Sequence, residues 1–430
     1  MKDMISKEGK KDMGKTLAEK ILARCSGKEQ VTAGEIVMGK VDCAMLDDTL
    51  GPWYVDSGLK KLGVDIWDRS KTVLVCDHYT PSASAAQANI VNFSRRWSKE
   101  YHIDNYFEEC GPCHQILAEN GYDLPGTLLV GVDSHTVTAG AFGCFGTGIG
   151  STEMVGVLAT GEIWLRVPES MKITWEGKLS EGVMGKDIFL RTIKDVGHSG
   201  ATYQAMEFCG GTISNLAMDD RMCICNMVVE AGAKTGLIEA DNKTEAFLKE
   251  IGCTKPYYPM QSDPDAAYKS KLSYRAEDLV PQVACPHEVD NVCDVKGVAG
   301  TRIDRVYIGS CTGGRLTDLM AAAKILEGKR LSRECKLEIS PSSKKIWEQA
   351  ARIGILNILS EAGATILAPT CGACVGYHSG LLADGERCVS TTNRNFRGRM
   401  GSREAEVYLV SAATAAATAL TGRLTDPREI

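Results

Sequence analysis

Short apolar segments that each end in a cluster of small and reactive residues recur along this 430-residue chain, and they restrict its fold more than any other feature. Four of them, residues 72–76, 127–132, 306–308 and 364–367, have the length and composition of buried strands. Helical patterns separate these segments. This alternation predicts an α/β fold in which functional groups gather at the carboxyl ends of the strands.

The length of the chain predicts two or three domains, at roughly 150 residues each. The first helix should begin at a capping box formed by Thr16 and Glu19, so residues 1–13 are expected to be a loose extension. A boundary is expected near Pro168, after a helical stretch at 151–166, and a linker or surface excursion at 255–295. We therefore predict domains at 1–167, 168–290 and 291–430.

The composition is ordinary for a globular protein, with 44% hydrophobic and 24% charged residues. A net charge of −6, without any Lys/Arg run interleaved with aromatic residues, argues against nucleic acid as a partner. The most apolar late segment, 407–420, is too short for a membrane span and is predicted to be a buried helix. The 17 cysteines are spread along a chain that opens without a signal peptide, so we expect reduced thiols and a cytoplasmic location.

Three of the cysteines stand in glycine-rich contexts directly after predicted strands. Cys311 lies in Ile-Gly-Ser-Cys-Thr-Gly-Gly, and Cys371 and Cys374 form a C-x-x-C pair. Glycine allows the backbone to approach a bound group closely. Three thiolates without an evident fourth suit a four-iron cluster with one iron left open, which can act as a Lewis acid. Buried structural cysteines are the alternative interpretation.

A second C-x-x-C pair, Cys110 and Cys113, offers a different hypothesis. The pair matches a thioredoxin-like redox motif, or it could join Cys371 and Cys374 in a four-cysteine zinc site. The two halves of such a zinc site would be far apart in sequence, and a thioredoxin unit would be a small separate domain. We therefore place both interpretations below the cluster.

Histidines and carboxylates accompany the cysteines at the strand ends. The candidates for acid–base chemistry are Asp77, His78, His114, Asp133, His135 and Glu230. Asn226 lies four residues before Glu230, on the same face of a helix if that segment is helical. Structural histidines are the alternative. A glycine-rich stretch, 143–150, completes neither a dinucleotide fingerprint nor a P-loop, and it is predicted to be a helix start packed tightly near the site, where an anion could bind.

Three arginines, Arg394, Arg397 and Arg399, lie within six residues of one another in a loop that begins at Asn393. Guanidinium groups recognise carboxylates through paired hydrogen bonds, so this loop is a candidate anion site. A solvated basic loop is the alternative.

Taken together, these stretches resemble the aconitase superfamily. The resemblance is carried by CDH (76–78), DSHT (133–136), CNM (225–227), IGSCT (308–312), PTCGAC (369–374) and NRNFRGR (393–399), which occur in the family order. Within the superfamily, the chain is most similar to the large subunits of 3-isopropylmalate dehydratases of the short archaeal and clostridial type. The stretches GATY (200–203), EF (207–208) and AEVYL (405–409) also fit that type.

The resemblance implies three α/β/α domains around a [4Fe-4S] cluster held by Cys311, Cys371 and Cys374. It implies that Asp77 and His78 assist departure of the hydroxyl, that Asp133 orients His114, and that Glu230 orients His135. It further implies a substrate site lined by Ser134, Asn226, Asn393, Arg394 and Arg399. The reaction implied is dehydration to a cis-alkene dicarboxylate followed by rehydration.

The same resemblance predicts a partner. Single-chain aconitases continue into a swivelling fourth domain with a serine base, and this sequence stops at Ile430. A separate small subunit is therefore expected to supply the base and much of the specificity, in a heterodimer or heterotetramer. Related substrates, 2,3-dimethylmalate and homocitrate, are the alternatives to isopropylmalate.

Two positions depart from the family pattern. Gly313 stands where the family usually has Asn, which predicts that one hydrogen bond near the cluster is absent. Leu46 stands where aconitases carry a substrate-touching Gln, which predicts an apolar wall suited to an alkyl branch.

Overall fold

Parallel strands form the centre of three separate sheets in this computed structural model, which describes residues 14–430. The predicted extension at 1–13 lies outside the described residues. Each sheet is covered by helices that follow its strands, so the α/β fold predicted from the sequence is confirmed.

The first part of the chain builds a parallel sheet and a small antiparallel ribbon. Its elements are α1 (Leu17–Ser26), β1 (Ile36–Lys40), β2 (Cys43–Asp47), α2 (Pro52–Leu62), β3 (Thr72–Cys76), α3 (Ala85–Glu100), β4 (Tyr106–Glu108), α4 (Cys113–Glu119), β5 (Leu128–Gly131), β6 (Phe145–Gly148), α5 (Ser151–Thr160) and β7 (Glu162–Arg166). The sheet has the order β4-β3-β2-β5-β6, and β1 pairs with β7. A 3-10 helix, Ser134–Phe142, follows β5.

The second sheet has four parallel strands. Its region contains β8 (Ser170–Glu176), α6 (Gly185–Val196), β9 (Ala205–Cys209), α7 (Gly211–Asn215), α8 (Met218–Met227), β10 (Thr235–Leu237), α9 (Asn242–Glu250) and β11 (Ser270–Arg275). The strand order is β10-β9-β8-β11. A 3-10 turn, Val228–Ala231, continues directly from α8.

The third sheet has seven strands and carries all three candidate cluster ligands. Its region contains β12 (Gln282–Ala284), β13 (Val292–Asp294), β14 (Arg305–Gly309), α10 (Ser310–Gly313), α11 (Leu316–Leu326), β15 (Lys336–Ser340), α12 (Lys344–Arg352), α13 (Ile355–Ala362), β16 (Thr365–Ile366), α14 (Gly372–Val375), β17 (Arg387–Ser390), β18 (Glu406–Leu409) and α15 (Ala412–Thr421). The order is β13-β12-β18-β17-β14-β15-β16, and only β12 runs antiparallel to its neighbours, β13 and β18. The predicted domain limits stay a prediction; the strands of the three regions occupy 36–166, 170–275 and 282–409.

The capping box predicted for the first helix is present in the structure. Thr16 caps α1 by accepting the Glu19 amide, while the Glu19 carboxylate accepts the Thr16 amide at 2.9 Å. Gly27 then ends the helix in the left-handed conformation. The four predicted strands also form, as β3, β5, β14 and β16.

Three element predictions are wrong. The helix predicted at 151–166 ends at Thr160, because Gly161 turns the chain with φ 73° and the next five residues pair as β7 with β1. The segment 407–420 splits into β18 and α15, with Ser411 at the start of the helix. The supposed linker at 255–295 contains β11, β12 and β13, so it completes the edges of two sheets.

Candidate active site

The carboxyl ends of the strands in the first and third sheets open onto a single cavity of about 620 Å³. Loops after β3, β5 and β6 form one side, and loops after β14, β16 and β17 form the other. Nearly all of the candidate residues predicted from the sequence line this cavity, namely Asp77, His78, His114, Asp133, Ser134, His135, Cys311, Cys371, Cys374, Asn393, Arg394 and Arg399. Asn226 and Glu230 lie directly behind its wall, bonded to residues that line it.

The three candidate cluster ligands meet in this cavity although up to 63 residues of sequence separate them (374 − 311 = 63). Cys311 lies in α10 and Cys374 in α14, and Cys371 immediately precedes α14. Burial raises the pKa of Cys311 to about 12. Contact with the Cys371 thiol, assisted by the charge of Arg399, lowers the pKa of Cys374 well below its usual value. This contact favours the thiolate, the form that binds metal, at one of the two cysteines of the C-x-x-C pair.

Two asparagines hold the thiols in place. Asn226 Nδ2 donates to Cys311 Sγ at 3.2 Å and to Thr138 Oγ1 at 2.8 Å. Asn393 Oδ1 lies 3.5 Å from Cys374 Sγ, and its Nδ2 donates to Asn226 Oδ1 at 3.2 Å. The amide of Asn226 thus donates to Cys311 Sγ, the kind of contact that stabilises a cluster-bound thiolate, whereas the Cys374 thiol donates to the amide oxygen of Asn393.

Asp77 and His78 form the first imidazole–carboxylate pair beside the cavity. Asp77 Oδ1 lies 2.7 Å from His78 Nδ1, and Asp77 Oδ2 accepts the Cys113 amide at 2.7 Å. Burial alone would lower the pKa of His78, but the charges of Asp77 and Cys371 raise it well above its usual value. The imidazole is thus held in its protonated form beside the cavity.

Asp133 organises the other two histidines. Its Oδ1 lies 2.7 Å from His114 Nε2 and accepts the His135 amide at 2.7 Å. Burial would raise the pKa of Asp133, but these contacts hold it well below its usual value. His135 Nε2 lies 2.9 Å from Glu230 Oε1, so its ring is oriented by a residue 95 positions later.

The three arginines of the loop that begins at Asn393 lie in different places. Arg394 Nε donates to both oxygens of Glu230, at 2.8 and 3.0 Å, and its NH2 group donates to Ser134 Oγ at 3.2 Å. Arg399 lines the cavity with a buried Nε that has no hydrogen-bond partner among residues 14–430. Arg397 is exposed and lies elsewhere, at a shallow cleft beside His287. Two guanidinium groups therefore face the cavity, and the third does not.

The glycine-rich stretch before α5 packs as closely as expected. A Cβ on Gly148 would lie 2.8 Å from the carbonyl oxygen of Asp133, so only glycine lets β6 approach the Asp133 loop. The amide of Gly150 is already bonded to Glu153 Oε2 at 2.9 Å. The start of α5 thus packs against the Asp133 loop, and the Gly150 amide already has a partner within the protein.

The prediction made for Leu46 is wrong. Its side chain is fully buried in the hydrophobic core of the first region and does not line the cavity. The residues that reach the cavity lie beyond the end of β2, at Thr49, Leu50 and Tyr54. Of these three, Leu50 brings an aliphatic side chain to the cavity.

The space beside Gly313 is occupied by the side chain of Thr391. A Cβ on Gly313 would lie 2.3 Å from Cβ of Thr391, so no larger residue fits there. Thr391 Oγ1 instead accepts the Gly309 amide at 2.9 Å, next to the cysteine helix. Thr391 thus fills the space of the family Asn and makes a hydrogen bond of its own.

The structure gives no support to the alternative built on Cys110 and Cys113. Cys113 is buried at the start of α4, and burial raises the pKa of its thiol well above the usual value, unlike a redox-active cysteine. Among the residues that the structure describes, no group of three ligand atoms close enough for a single ion includes either cysteine.

The sequence analysis did not identify two residues that support the loops of the site, Asp48 and Thr370. Asp48 is fully buried after β2 and accepts the amides of His78 at 3.1 Å and Tyr79 at 2.8 Å. Thr370 Oγ1 lies 2.8 Å from the Asp77 carbonyl and ties the cysteine loop to the acid–base loop. Adjacent acidic residues at a strand end were the available signal for Asp48, whereas nothing local marks Thr370.

Comparison with known proteins agrees with this geometry. A model of the aconitase family (aconitate hydratase) matches residues 61–301 and 296–422. A protein named 3-isopropylmalate dehydratase large subunit 1, from Methanopyrus kandleri, is 48% identical over 97% of this chain and 99% of its own length. A probable methanogen homoaconitase large subunit from Methanosarcina mazei is 48% identical over 92% of this chain and 100% of its own length.

A solved structure supports the fold independently. Thermococcus kodakaraensis aconitase X, in its holo-form, superposes with a TM-score of 0.50 at 11% identity, covering 87% of this chain and 88% of that one. At that identity the likeness concerns the fold alone. The family match and the full-length relatives establish the identification: this chain belongs to the aconitase family.

Proposed function

We propose that this chain is the large subunit of a 3-isopropylmalate dehydratase, a hydro-lyase that interconverts 2- and 3-isopropylmalate through a cis-alkene in leucine biosynthesis. The observation that carries the proposal is the convergence of three thiols, three imidazole–carboxylate pairs and two guanidinium groups on one cavity. Near full-length relatives with that name support it.

The three cysteines are suited to hold a [4Fe-4S] cluster. Among residues 14–430 they do not form a compact set for one ion, since their sulfur atoms are not all within 4.8 Å of one another. A larger group fits thiols that are spread around a cavity and braced by Asn226 and Asn393. When bound, such a cluster supplies a Lewis acid for the hydroxyl and carboxylate of the substrate.

The proton transfers are assigned to histidines on the side of the cavity that the first region forms. His78, kept protonated by Asp77, is placed to donate a proton to the departing hydroxyl group. His135 is oriented by Glu230, and His114 by Asp133, so both rings keep a fixed direction during the reaction. The carboxylates act through the imidazoles by fixing their tautomers and charge.

The substrate carboxylates are expected to bind Arg399 and Arg394. The unpartnered Nε of Arg399 is a buried donor that requires an acceptor, and a substrate carboxylate provides one. Arg394 also fixes the Ser134 hydroxyl and Glu230, so it joins the carboxylate site to the His135 unit.

An alkyl-bearing substrate suits the remainder of the cavity. The apolar side chains that line it are Leu50, Val132, Val137, Ile149, Val229 and Val375. Such a surface cannot solvate a third carboxylate, which favours isopropylmalate over homocitrate. Homoaconitase activity is the second candidate, because a relative of equal identity carries that name. 2,3-Dimethylmalate remains a related candidate with the same chemistry.

A small subunit completes the enzyme in this proposal. The relatives are named large subunits, which implies a second chain. That chain would supply the serine base and part of the specificity pocket, in a heterodimer or heterotetramer. All 17 cysteines are free thiols, which favours the reducing cytoplasm as the site of action. No helix within residues 14–430 is long and apolar enough to cross a membrane.

The test is anaerobic reconstitution of both subunits with iron and sulfide. We expect about four irons per large subunit and alkene formation from isopropylmalate exceeding that from dimethylmalate and homocitrate. Cys311→Ser, Cys371→Ser and Cys374→Ser should each lose iron and turnover, while Cys110→Ser should keep both. Full iron and turnover in all three variants would refute the ligand assignment, and preferred turnover of homocitrate would refute the substrate.

A further inference from the structure

A buried lysine lies behind the candidate cluster site. Lys186, in the first turn of α6, has only 3% of its surface exposed. Its Nζ donates to the carbonyl oxygens of Thr391 and Thr392, the latter at 2.6 Å. Among residues 14–430, no carboxylate oxygen lies within 4.0 Å of this ammonium group, so its direct partners are neutral.

This placement is unfavourable for a cation in isolation. A buried charge is destabilising unless an opposite charge offsets the loss of hydration. The positive end of a helix dipole, at the start of α6, adds to the penalty. The buried carboxylates nearby are engaged elsewhere, since Asp187 accepts the Gln282 amide at 2.8 Å and Asp318 accepts the Arg315 amide at 3.0 Å.

A series of hydrogen bonds and neighbouring residues connects Lys186 to the candidate cluster ligands. The Thr391 carbonyl that Lys186 contacts also accepts from Thr312 Oγ1 at 2.8 Å, and Thr312 follows Cys311. The next residue after Thr392 is Asn393, whose side chain contacts Cys374 and reaches toward Cys311. Negative charge develops at these sulfur atoms when they bind iron as thiolates.

We propose that Lys186 is a positioning residue for the cluster: its buried ammonium balances the charge of the thiolate-bound cluster and fixes the two carbonyls that lead into the Asn393–Arg394 loop. This inference rests on the proposed cluster. It assigns to the second region of the chain, through α6, a direct electrostatic contribution to a site built mainly by the first and third.

Removal of the charge should be visible in the cluster itself. In Lys186→Met the reduced cluster loses a nearby stabilising cation, so its reduction potential becomes more negative. We expect at least a tenfold fall in the reduced-to-oxidised ratio at a fixed potential, which is 59 mV for a one-electron couple. The measurement is a redox titration of the reconstituted holoprotein followed by electron paramagnetic resonance.

Three further variants separate charge from hydrogen bonding. Lys186→Gln keeps a donor for the carbonyls without the charge, and it should shift the potential as Lys186→Met does. Lys186→Arg keeps the charge and should stay near the wild-type potential. Lys194→Met removes an exposed cation from the same helix, where water screens the charge, and should leave the potential unchanged.

Stability gives a second, independent readout. In the metal-free protein the lysine is a buried charge without its counter-charge. Removal of that charge in Lys186→Met should offset the loss of the two hydrogen bonds to the carbonyls, so the urea midpoint of the apoprotein should stay at or above that of wild type. The same variant should lose its cluster to air faster than wild type. A lysine needed only for packing would instead lower the apoprotein midpoint.

The outcomes distinguish this inference from the proposed function. If wild-type protein binds no cluster at all, the proposed function fails. If Lys186→Met and Lys186→Gln bind the cluster at the wild-type potential, the cluster survives and the role of Lys186 is refuted. If Lys186→Met does not fold, the Lys186→Gln and Lys186→Arg pair still decides, since the two must differ in potential.

Discussion

Replacement of Glu230 by Gln removes one negative charge at the point where loops from all three regions of the chain meet. Glu230 is 2% exposed, and it receives Arg394 Nε at 2.8 and 3.0 Å and faces His135 Nε2 at 2.9 Å. Glutamine has almost the same volume and keeps one acceptor oxygen. It loses the charge, however, and turns an amide N–H group toward residues that are themselves donors.

The size of the effect follows from these contacts. Each hydrogen bond to a charged group contributes about 1.5–3 kcal/mol. Loss of one partner of a buried ion pair costs about 3–5 kcal/mol. The Arg394 side chain keeps 21% exposure and therefore some hydration, so we expect the lower end, about 3 kcal/mol. If the same contacts hold the site in the transition state, kcat/KM falls about 150-fold.

The pH dependence of activity and of stability provides an independent test of the role of Glu230. Burial and Arg394 would lower the pKa of His135, but Asp133 and Glu230 raise it above its usual value. In Glu230→Gln the imidazolium should therefore lose its proton at lower pH, and the corresponding limb of the kcat/KM profile moves down the pH scale. The pKa of Glu230 itself is depressed, against burial, by His135, so its stabilisation is present above about pH 4.5 and lost in acid. Wild type and variant should converge in stability as the pH falls.

Urea unfolding of the anaerobic holoprotein and steady-state alkene formation measure these effects. Glu404→Gln is the matched control, because Glu404 is exposed beyond the same arginine loop and should change neither quantity. An unfolding free energy within about 0.5 kcal/mol of wild type, the range of ordinary surface substitutions, together with an unmoved pH limb would refute the reasoning.

Three further changes test other parts of the site. Asp77→Asn removes the carboxylate that keeps His78 protonated, so kcat should fall by about 10²–10⁴-fold with little change in KM, measured in steady state. Gly313→Ala forces a methyl group against Thr391, and thermal unfolding should show a loss of about 1–3 kcal/mol; an unchanged melting temperature would contradict the packing argument. The pKa of Asp133 is held well below its usual value, so its stabilisation is present above about pH 4 and lost below it; Asp133→Asn should flatten that acid limb in urea titrations, and an unaltered limb would count against it.

Much of the fold could be read from local patterns. The strand β3 was predicted at its observed limits, because five apolar residues in succession fit a strand that is buried on both faces. The capping box of α1 also worked, since its two reciprocal bonds depend on residues three positions apart. The helix predicted through Gly161 failed because one left-handed glycine ends a helix whatever pattern follows it.

For the candidate site, the sequence predicted which residues take part but not most of the contacts between them. Motif spacing identified the cysteines and histidines, because each stands on a loop that leaves the end of a parallel strand. Two of the ion pairs in the site could not be predicted from local spacing, because they join residues that are far apart in the sequence. His135 meets Glu230 across 95 residues and Arg394 meets Glu230 across 164, and only the family resemblance suggested the first of these. No local pattern marks Lys186, whose importance depends on burial beside a loop 205 residues later.

The error at Leu46 shows why position in a motif does not fix what a side chain touches. Strand β2 is buried on both faces, so Leu46 packs into the core of the first region however close it lies to the site in sequence. The chain reaches the cavity only after a turn in which Asp47 Oδ1 accepts the amides of Thr49 and Leu50, at 2.8 and 2.7 Å. Leu50 is the first large apolar side chain after this turn to line the cavity. The residues that line this side of the cavity therefore belong to the segments beyond the strand ends, where the backbone leaves the sheet and its side chains lie opposite the loops of the third sheet.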